Sequence, residues 1–300
     1  MMKDTYNISD SVIIVPVYND PAGIKATLQS LMGLESTGYQ VLVVDNNSTD
    51  ETTDIIRTYV KKEDNISFVT ENEVQSSYAA RAKGIECSQG DIVAFLDADE
   101  TVDPAWLETA LQAMKEQGVE YLGCNVEIEL TESTIVGRYN ARTGFPVEQY
   151  LEEQNYAPTC ALLVNREVFE QVGLFDDRLI SGGDREFGER VHEAGYNQGY
   201  AEDAIVYHPA RTTCMSLAKK NFRVGRGFCQ KQRYYSDRYG TPGIPPIPSG
   251  PSGDGYESDS LLDVLVFTFL SFAMLACRGS GYYYEFISGK RRDYASSATN

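Results

Sequence analysis

Four short apolar runs, SVIIVPVY from Ser11, YQVLVVD to Asp45, ISFVT from Ile66 and DIVAFLD to Asp97, each give way to a segment with helical spacing. After the first, Asn19, Asp20 and Pro21 break the strand, and Ile24, Leu28 and Leu31 then recur at intervals of four and three. After the second, Ser48 or Thr49 stands where a helix cap would, ahead of Ile55, Ile56 and Tyr59. After the third comes SSYAARAKGIECS, a helix rich in small residues. Such alternation demands a parallel, doubly wound α/β sheet, and ligands of such sheets collect beyond the carboxyl ends of the strands. Asp45 and Asp97 both fall at such ends.

Charge narrows the function. With 44 acidic against 26 basic residues the chain carries −18, the wrong sign for a general nucleic-acid binder, whose affinity comes from neutralising phosphates. A salt-rich cytoplasm and an acidic proteome fit such a surface, because salt screens its self-repulsion. The six cysteines include no C-x-x-C pair, so neither a zinc ribbon nor a disulfide framework is expected. No signal segment opens MMKDTYNISD, and the expected location is cytoplasmic.

Beyond the helix PAWLETALQAMKEQ, which Asp103 would cap and Pro104 open, VEYLGCNVEIEL and TCALLVN read as strands. About thirty polar and aromatic residues connect them and could shape a second substrate's pocket. A helix from about Arg185 to Ala194, a strand AIVYH and a basic helix from about Ser216 to Tyr239 follow. Residues 240–259, Pro- and Gly-rich, read as a linker between a domain over 1–239 and an apolar segment over 260–300. The tail LLDVLVFTFLSFAMLAC is short for a bilayer span, which needs about 20 residues; a buried helix, an interfacial helix and a membrane span all remain open. GKRR at 289–292 could meet anionic lipid at the cytoplasmic face of a membrane, or could be a solvated charge run.

IVAFLDADE places Asp97, Asp99 and Glu100 directly after an apolar strand. Crowded carboxylates become favourable around a divalent cation, and hard oxygen ligands suit Mg²⁺ or Mn²⁺, which leave further positions to substrate phosphates. On that reading Asp99 is the metal ligand and Asp97 orients the site or a ribose; otherwise the segment is a surface turn before a helix. Asp45 is suited to a base or ribose. PVYNDP stands where a nicotinamide-binding unit would need G-x-G-x-x-G, which disfavours that chemistry.

VIIVPVYND, VLVVDNNSTDET, ARAKGIECSQGDIVAFLDAD and DPAWLE, in this order, resemble the nucleotide-sugar-binding half of family 2 glycosyltransferases. The resemblance continues through GLFDDRLISGGDREFGERVHEAGY and YAEDAIVYHPAR, and so covers about residues 10–215. It implies a GT-A-type, Rossmann-like mixed sheet with helices on both faces, to which the C-terminal helical tail is added. It makes Pro16 and Tyr18 part of the nucleotide pocket's wall, Asp45 a contact to base or ribose, and Arg81 a phosphate or ribose neighbour. Asp97 and Asp99 become the D-x-D pair, and His208 matches the family's histidine near metal and diphosphate. Taken alone, His208 could equally be a structural histidine. The family often has Glu-Asp where this chain has Gly183-Asp184; Asp184 then matches the catalytic base, with Glu186 in reserve, unless Asp184 is only a helix cap.

The function so implied is glycan biosynthesis by an inverting, metal-dependent, hexosyltransferase-like enzyme. A nucleotide-diphospho-sugar is its donor, and a glycan or lipid-linked molecule its acceptor. Nucleotidyl transfer and a catalytically silent sugar-nucleotide-binding subunit remain as alternatives. In the basic helix, Lys219, Arg223, Arg226, Gln230 and Arg233 share one face, which could meet diphosphate or lipid head groups, or acidic neighbours. QKQRY is similar to the Q-x-x-R-W signature of processive synthases, with Tyr234 in place of tryptophan; the many spans of such synthases are missing.

Overall fold

The computed structural model describes residues 6–246 and 261–297, and the chain divides into two compact units. One consists of Met1–Glu129, Phe145–Arg178 and Gly183–Pro209, the other of Leu130–Gly144, Leu179–Gly182 and Ala210–Asn300. These bounds differ from the expected break at residue 239, because the second unit draws on segments far apart in sequence. Residues 247–260, most of the expected linker, lie outside the described residues.

The first unit opens with β1 (Ser11–Val17), α1 (Pro21–Leu31), β2 (Gln40–Asp45), α2 (Thr52–Val60), β3 (Ile66–Thr70), α3 (Ser77–Cys87) and β4 (Ile92–Phe95). β5 (Thr101–Val102), α4 (Trp106–Gln117) and β6 (Tyr121–Glu129) follow. The chain then contributes α5 (Ile135–Thr143) to the second unit. It returns with α6 (Val147–Gln154), β7 (Leu162–Asn165), α7 (Arg166–Val172), α8 (Gly183–Glu193) and β8 (Gln198–Pro209). The expected irregular connection before β7 thus holds two helices, α5 and α6.

All eight strands form one mixed sheet in the order β3-β2-β1-β4-β7-β6-β8-β5. From β1 the chain steps outward to β2 and β3, then crosses back to place β4 on the other side of β1, all in parallel register. Right-handed crossovers consequently put α1 and α2 on one face and α3 on the other. The reversal makes the carboxyl ends of β1 and β4 a topological switch point. Every residue of β1 and β4 is buried, as strands covered on both faces must be.

Pro16 shows how β1 ends. The Ile14 carbonyl accepts the Leu96 N–H, so Pro16, two residues on, faces the same neighbour beyond the last paired residue of β4. Its missing donor is therefore not needed. The expected caps differ from the observed ones. α2 starts only at Thr52, whose N–H is taken by Asp50 at 3.0 Å, while Ser48 and Thr49 bind Asp45 and Asn19. Asp103 accepts the Ala105 N–H in a turn ahead of α4 rather than at its cap.

The second unit consists mainly of α5, α9 (Cys214–Tyr234), α10 (Ser236–Tyr239) and α11 (Leu261–Ser297). Val136 and Tyr139 of α5, Leu217 of α9, and Phe267, Leu270 and Met274 of α11 make its core. α9 and α11 run in the same direction, with Asn221 beside Arg278, Arg226 beside Glu285 and Arg233 beside Gly289. Their closest approach needs glycine on both helices: a methyl on Gly225 would strike the Arg278 carbonyl, and one on Gly281 the Phe222 carbonyl. The basic face of α9 is largely taken. Arg226 holds Glu285 at 2.8 Å, Gln230 donates to Glu285 at 3.3 Å, and Arg233 lies 3.5 Å from the same carboxylate.

Candidate active site

Asp45 closes β2 and is 2% exposed. Its carboxylate accepts the Ser48 N–H at 3.0 Å and the Thr53 hydroxyl at 2.6 Å, bonds that fix its orientation. The loop that follows is tied down from both sides. Asn46 donates to the carbonyls of Glu71 and Val74, and Asn19, in the left-handed region at φ 48°, accepts the Thr49 N–H. The carboxyl ends of β1, β2 and β3 are thereby fixed to one another. Tyr18, the first residue past β1, is 49% exposed above them, whereas Pro16 is buried inside the strand.

The three acids after β4 avoid mutual repulsion by taking separate environments. Arg81, reaching up from α3 and buried, forms an ion pair with Asp97. Glu100 turns inward: it is fully buried, its carboxylate accepts the Asp97 N–H at 2.7 Å, and its carbonyl accepts the Thr27 hydroxyl at 2.6 Å. Burial, reinforced by the charge of Asp97, pushes the Glu100 carboxyl well above the usual carboxylate range, so the neutral acid is favoured there. Asp99 stays partly exposed between its two buried neighbours Ala98 and Glu100.

His208 lies near the end of β8, which pairs antiparallel with β5 through Thr101 opposite Tyr207 and Val102 opposite Val206. Continuing that register past β5 sets Glu100 opposite His208 and Asp99 opposite Pro209. The His208 Nδ1 is 2.8 Å from the Pro209 carbonyl. A carbonyl only accepts, so Nδ1 carries a proton, and in the neutral imidazole Nε2 is then the nitrogen with the lone pair, the tautomer suited to a metal. Phe145 covers the imidazole at 5.3 Å between ring centroids. Among the described residues no group of three or more His, Cys, Asp or Glu side chains is assembled for a metal. Asp99 and His208 are the residue types that could hold a hard cation whose remaining positions come from phosphate oxygens.

Tyr78, on α3 one turn before Arg81, joins these parts. Its hydroxyl accepts the Gly183 N–H at 2.9 Å and lies 3.5 Å from the Asp184 carboxylate. Its ring sits under the Arg81 guanidinium at 5.8 Å. Asp184 and the Arg81–Asp97 pair therefore flank one aromatic ring. α8 begins at Gly183, so Asp184 is in the first helical turn and is not the cap. Its charge is felt by two further phenols, Tyr121 and Tyr156, each held above the ordinary tyrosine range mainly by burial. Glu186 has a different setting: it is wholly buried and gripped by Arg190 at 2.7 and 3.0 Å, while Arg190 also donates to the carbonyls of Val172 and Leu174. A carboxylate so engaged, through Arg190, ties α8 to the end of α7.

The sequence profile of Glycosyl transferase family 2 matches residues 12–173, over half of the chain. The chain belongs to glycosyltransferase family 2. Glycosyltransferase AglE of Haloferax volcanii is 40% identical over 221 residues, 73% of this chain and 72% of that protein. The Pre-mycofactocin glycosyltransferase of Mycobacterium tuberculosis is 28% identical over 72% of this chain but only 46% of its own length. Among solved structures, a mannosyltransferase from Pyrobaculum calidifontis, in complex with GDP-Man and Mn²⁺, superposes with a TM-score of 0.59. It is 17% identical, over 97% of this chain and 79% of that one. S. aureus TarS with UDP-GlcNAc gives 0.54 at 17% identity, over 76% and 74%. At such identities the likeness speaks for the fold, which is GT-A.

The glycine at position 183, where the resemblance implied Glu, has a local physical counterpart. A Cβ on Gly183 would lie 2.9 Å from Cε2 and Cζ of Tyr78, closer than packed carbons approach. The ring of Tyr78, 5% exposed, occupies the room a larger residue at 183 would need. Sequence reasoning named Gly183 and passed over Tyr78; the available signal was an aromatic inside the otherwise small-residue segment SSYAARAKG.

Proposed function

We propose that the chain moves one sugar from a nucleotide-diphospho-sugar to a hydroxyl of a glycan or lipid-linked acceptor, with inversion at the anomeric carbon. The observation that carries this is the Tyr78 bridge, which sets Asp184 across one ring from the Arg81–Asp97 pair at the switch point. Asp45 and Tyr18 receive the nucleoside: the carboxylate stands at the carboxyl end of β2, and the exposed ring of Tyr18 offers the nucleoside an apolar face. Arg81, neutralised by Asp97, positions that carboxylate instead of reaching for phosphate. Asp99 and His208 would hold Mg²⁺ or Mn²⁺, and such an ion would supply positive charge to offset that on a departing diphosphate. The Mn²⁺ bound by the Pyrobaculum neighbour supports the use of a divalent ion.

Asp184 is the base. Its carboxylate takes the proton of the acceptor hydroxyl as that oxygen bonds to the anomeric carbon. The bond from that carbon to the diphosphate breaks, and its electron pair leaves with the nucleoside diphosphate. The Tyr78 hydroxyl and the Arg185 N–H, both at Oδ1, orient the carboxylate for the transfer.

A screen of sugar nucleotides with Mn²⁺ or Mg²⁺, read as released nucleoside diphosphate, tests the proposal. Turnover that stops on chelation and in Asp99→Ala and Asp184→Ala is the expected result. Release of pyrophosphate would establish nucleotidyl transfer instead. Full turnover by both variants would remove the assigned roles, and binding of donors without turnover would make the chain a silent subunit.

A further inference from the structure

α11 is built inside out. Its charged residues between Leu261 and Gly289 all turn toward α5 and α9 and are paired there. Asp263 takes two hydrogen bonds from Arg138 at 2.8 and 3.1 Å, Arg278 donates twice to Asn221, and Glu285 holds Arg226. The opposite face carries Leu261, Leu265, Phe269, Phe272, Leu275 and Ile287, from 48% to 78% exposed, and no charge. A helix washed by water shows the reverse arrangement.

The width of that face identifies what covers it. At about 100° per residue, the exposed positions from Ser271 round to Tyr284 spread over an arc of roughly 200°. A packed helix from a second copy fills a stripe of about 100° and would leave half of the apolar arc in water. A continuous hydrocarbon phase covers all of it. Among the described residues Leu261–Gly289 is the one helix long and apolar enough to cross a bilayer, and 22% of its apolar window is buried.

Its neighbour argues against crossing. α9 runs alongside in the same direction, and its exposed Lys219 and Arg223 flank Asn221, which contacts Arg278. A perpendicular α11 would carry these two cations into the hydrocarbon at the depth of Met274–Tyr282, where charge is strongly disfavoured. An α11 lying in the plane of the surface keeps both heads out of the hydrocarbon and within reach of the headgroup layer. Tyr283 and Tyr284, both about half exposed, are suited to the headgroup level. The sequence continues directly into Lys290, Arg291 and Arg292, whose side chains lie outside the described residues.

We propose that the outward face of α11 docks in plane on an anionic lipid bilayer, its leucines and phenylalanines in the acyl boundary and Lys219 and Arg223 on headgroup phosphates. This is independent of the transfer reaction assigned above. Cosedimentation of the full chain with vesicles of phosphatidylcholine plus phosphatidylglycerol, and with phosphatidylcholine alone, tests it. Binding to the mixed vesicles, at least about tenfold weaker on the neutral ones and released by alkaline carbonate, is expected. Phe269→Asp/Phe272→Asp should remain in the supernatant, and Lys219→Glu/Arg223→Glu should need at least about tenfold more lipid. Both variants should keep the wild-type melting profile and release of nucleoside diphosphate from soluble donor. Three results would overturn the proposal: equal sedimentation of wild type and the aspartate variant, resistance to carbonate extraction, or a solution dimer that the aspartate variant splits while lipid binding persists.

Discussion

Gly183→Ala isolates the contact between α8 and α3. The added methyl would lie 2.9 Å from two ring carbons of Tyr78 and 3.1 Å from a third, against the flat of a ring that cannot easily turn away. That ring is wedged between Arg81 at 5.8 Å and Phe175 at 6.0 Å, and its hydroxyl is held by the Gly183 N–H. Overpacking of this kind costs about 1–3 kcal/mol, partly offset by the higher helix propensity of alanine, up to about 1 kcal/mol. With Tyr78→Ala as background the clash is gone, and the same substitution should be neutral or stabilising by up to about 1 kcal/mol. Urea unfolding of the four proteins, followed by circular dichroism, closes the cycle. A coupling of about 1–3 kcal/mol is expected. In Gly183→Ala alone, release of nucleoside diphosphate should fall further than the loss of folded protein explains, because Asp184 follows Gly183. Identical costs of Gly183→Ala in both backgrounds would refute the idea that the ring of Tyr78 fills the place of a larger residue at 183.

Glu186→Gln should lower stability by about 3–5 kcal/mol, because it leaves Arg190 without its buried counter-ion, yet the folded fraction should turn over at the normal rate. Asp184→Asn should do the opposite, with kcat down by about 10²–10⁴ and the unfolding midpoint nearly unmoved; a reversal of these two phenotypes would exchange their roles. Alkaline unfolding should set in above about pH 10, the ordinary tyrosine range. Burial, with help from Glu148 and Glu202, pushes Tyr200 up to about 12, and burial also raises Tyr39 and Tyr6. Below pH 10 folded and unfolded chains both keep these phenols protonated; above it only the unfolded chain releases them, so stability falls as pH climbs toward 12. Tyrosine ionisation followed by ultraviolet absorbance should lag behind that of the urea-unfolded chain. At a net charge of −18 the melting temperature should also rise as salt is added, and a salt-independent melt would dissociate composition from stability.

How far the sequence could be read depended on the range of the interaction. Strands and their order of appearance were legible because each buries a continuous apolar run, and Asp45 and Asp97 could be placed because a strand end is a local event. Features made by distant partners were not. Glu100 has the same local setting as Asp97 and Asp99, and only the packing of Thr27 from α1 against its carbonyl shows it to be the inward one. Tyr78 finds Gly183 across 105 residues. The basic face of α9 has a regular pattern that predicts an anion correctly, but the anion is Glu285 of the chain's own α11 as well as any external ligand. That substitution bears on function. By absorbing Arg226 and Arg233, Glu285 leaves Lys219 and Arg223 as the exposed cations of the face, beside the segment of α11 that presents leucine and phenylalanine outward. In a chain this acidic, an apolar face bordered by cations is the place where an anionic surface can approach without meeting the overall negative field.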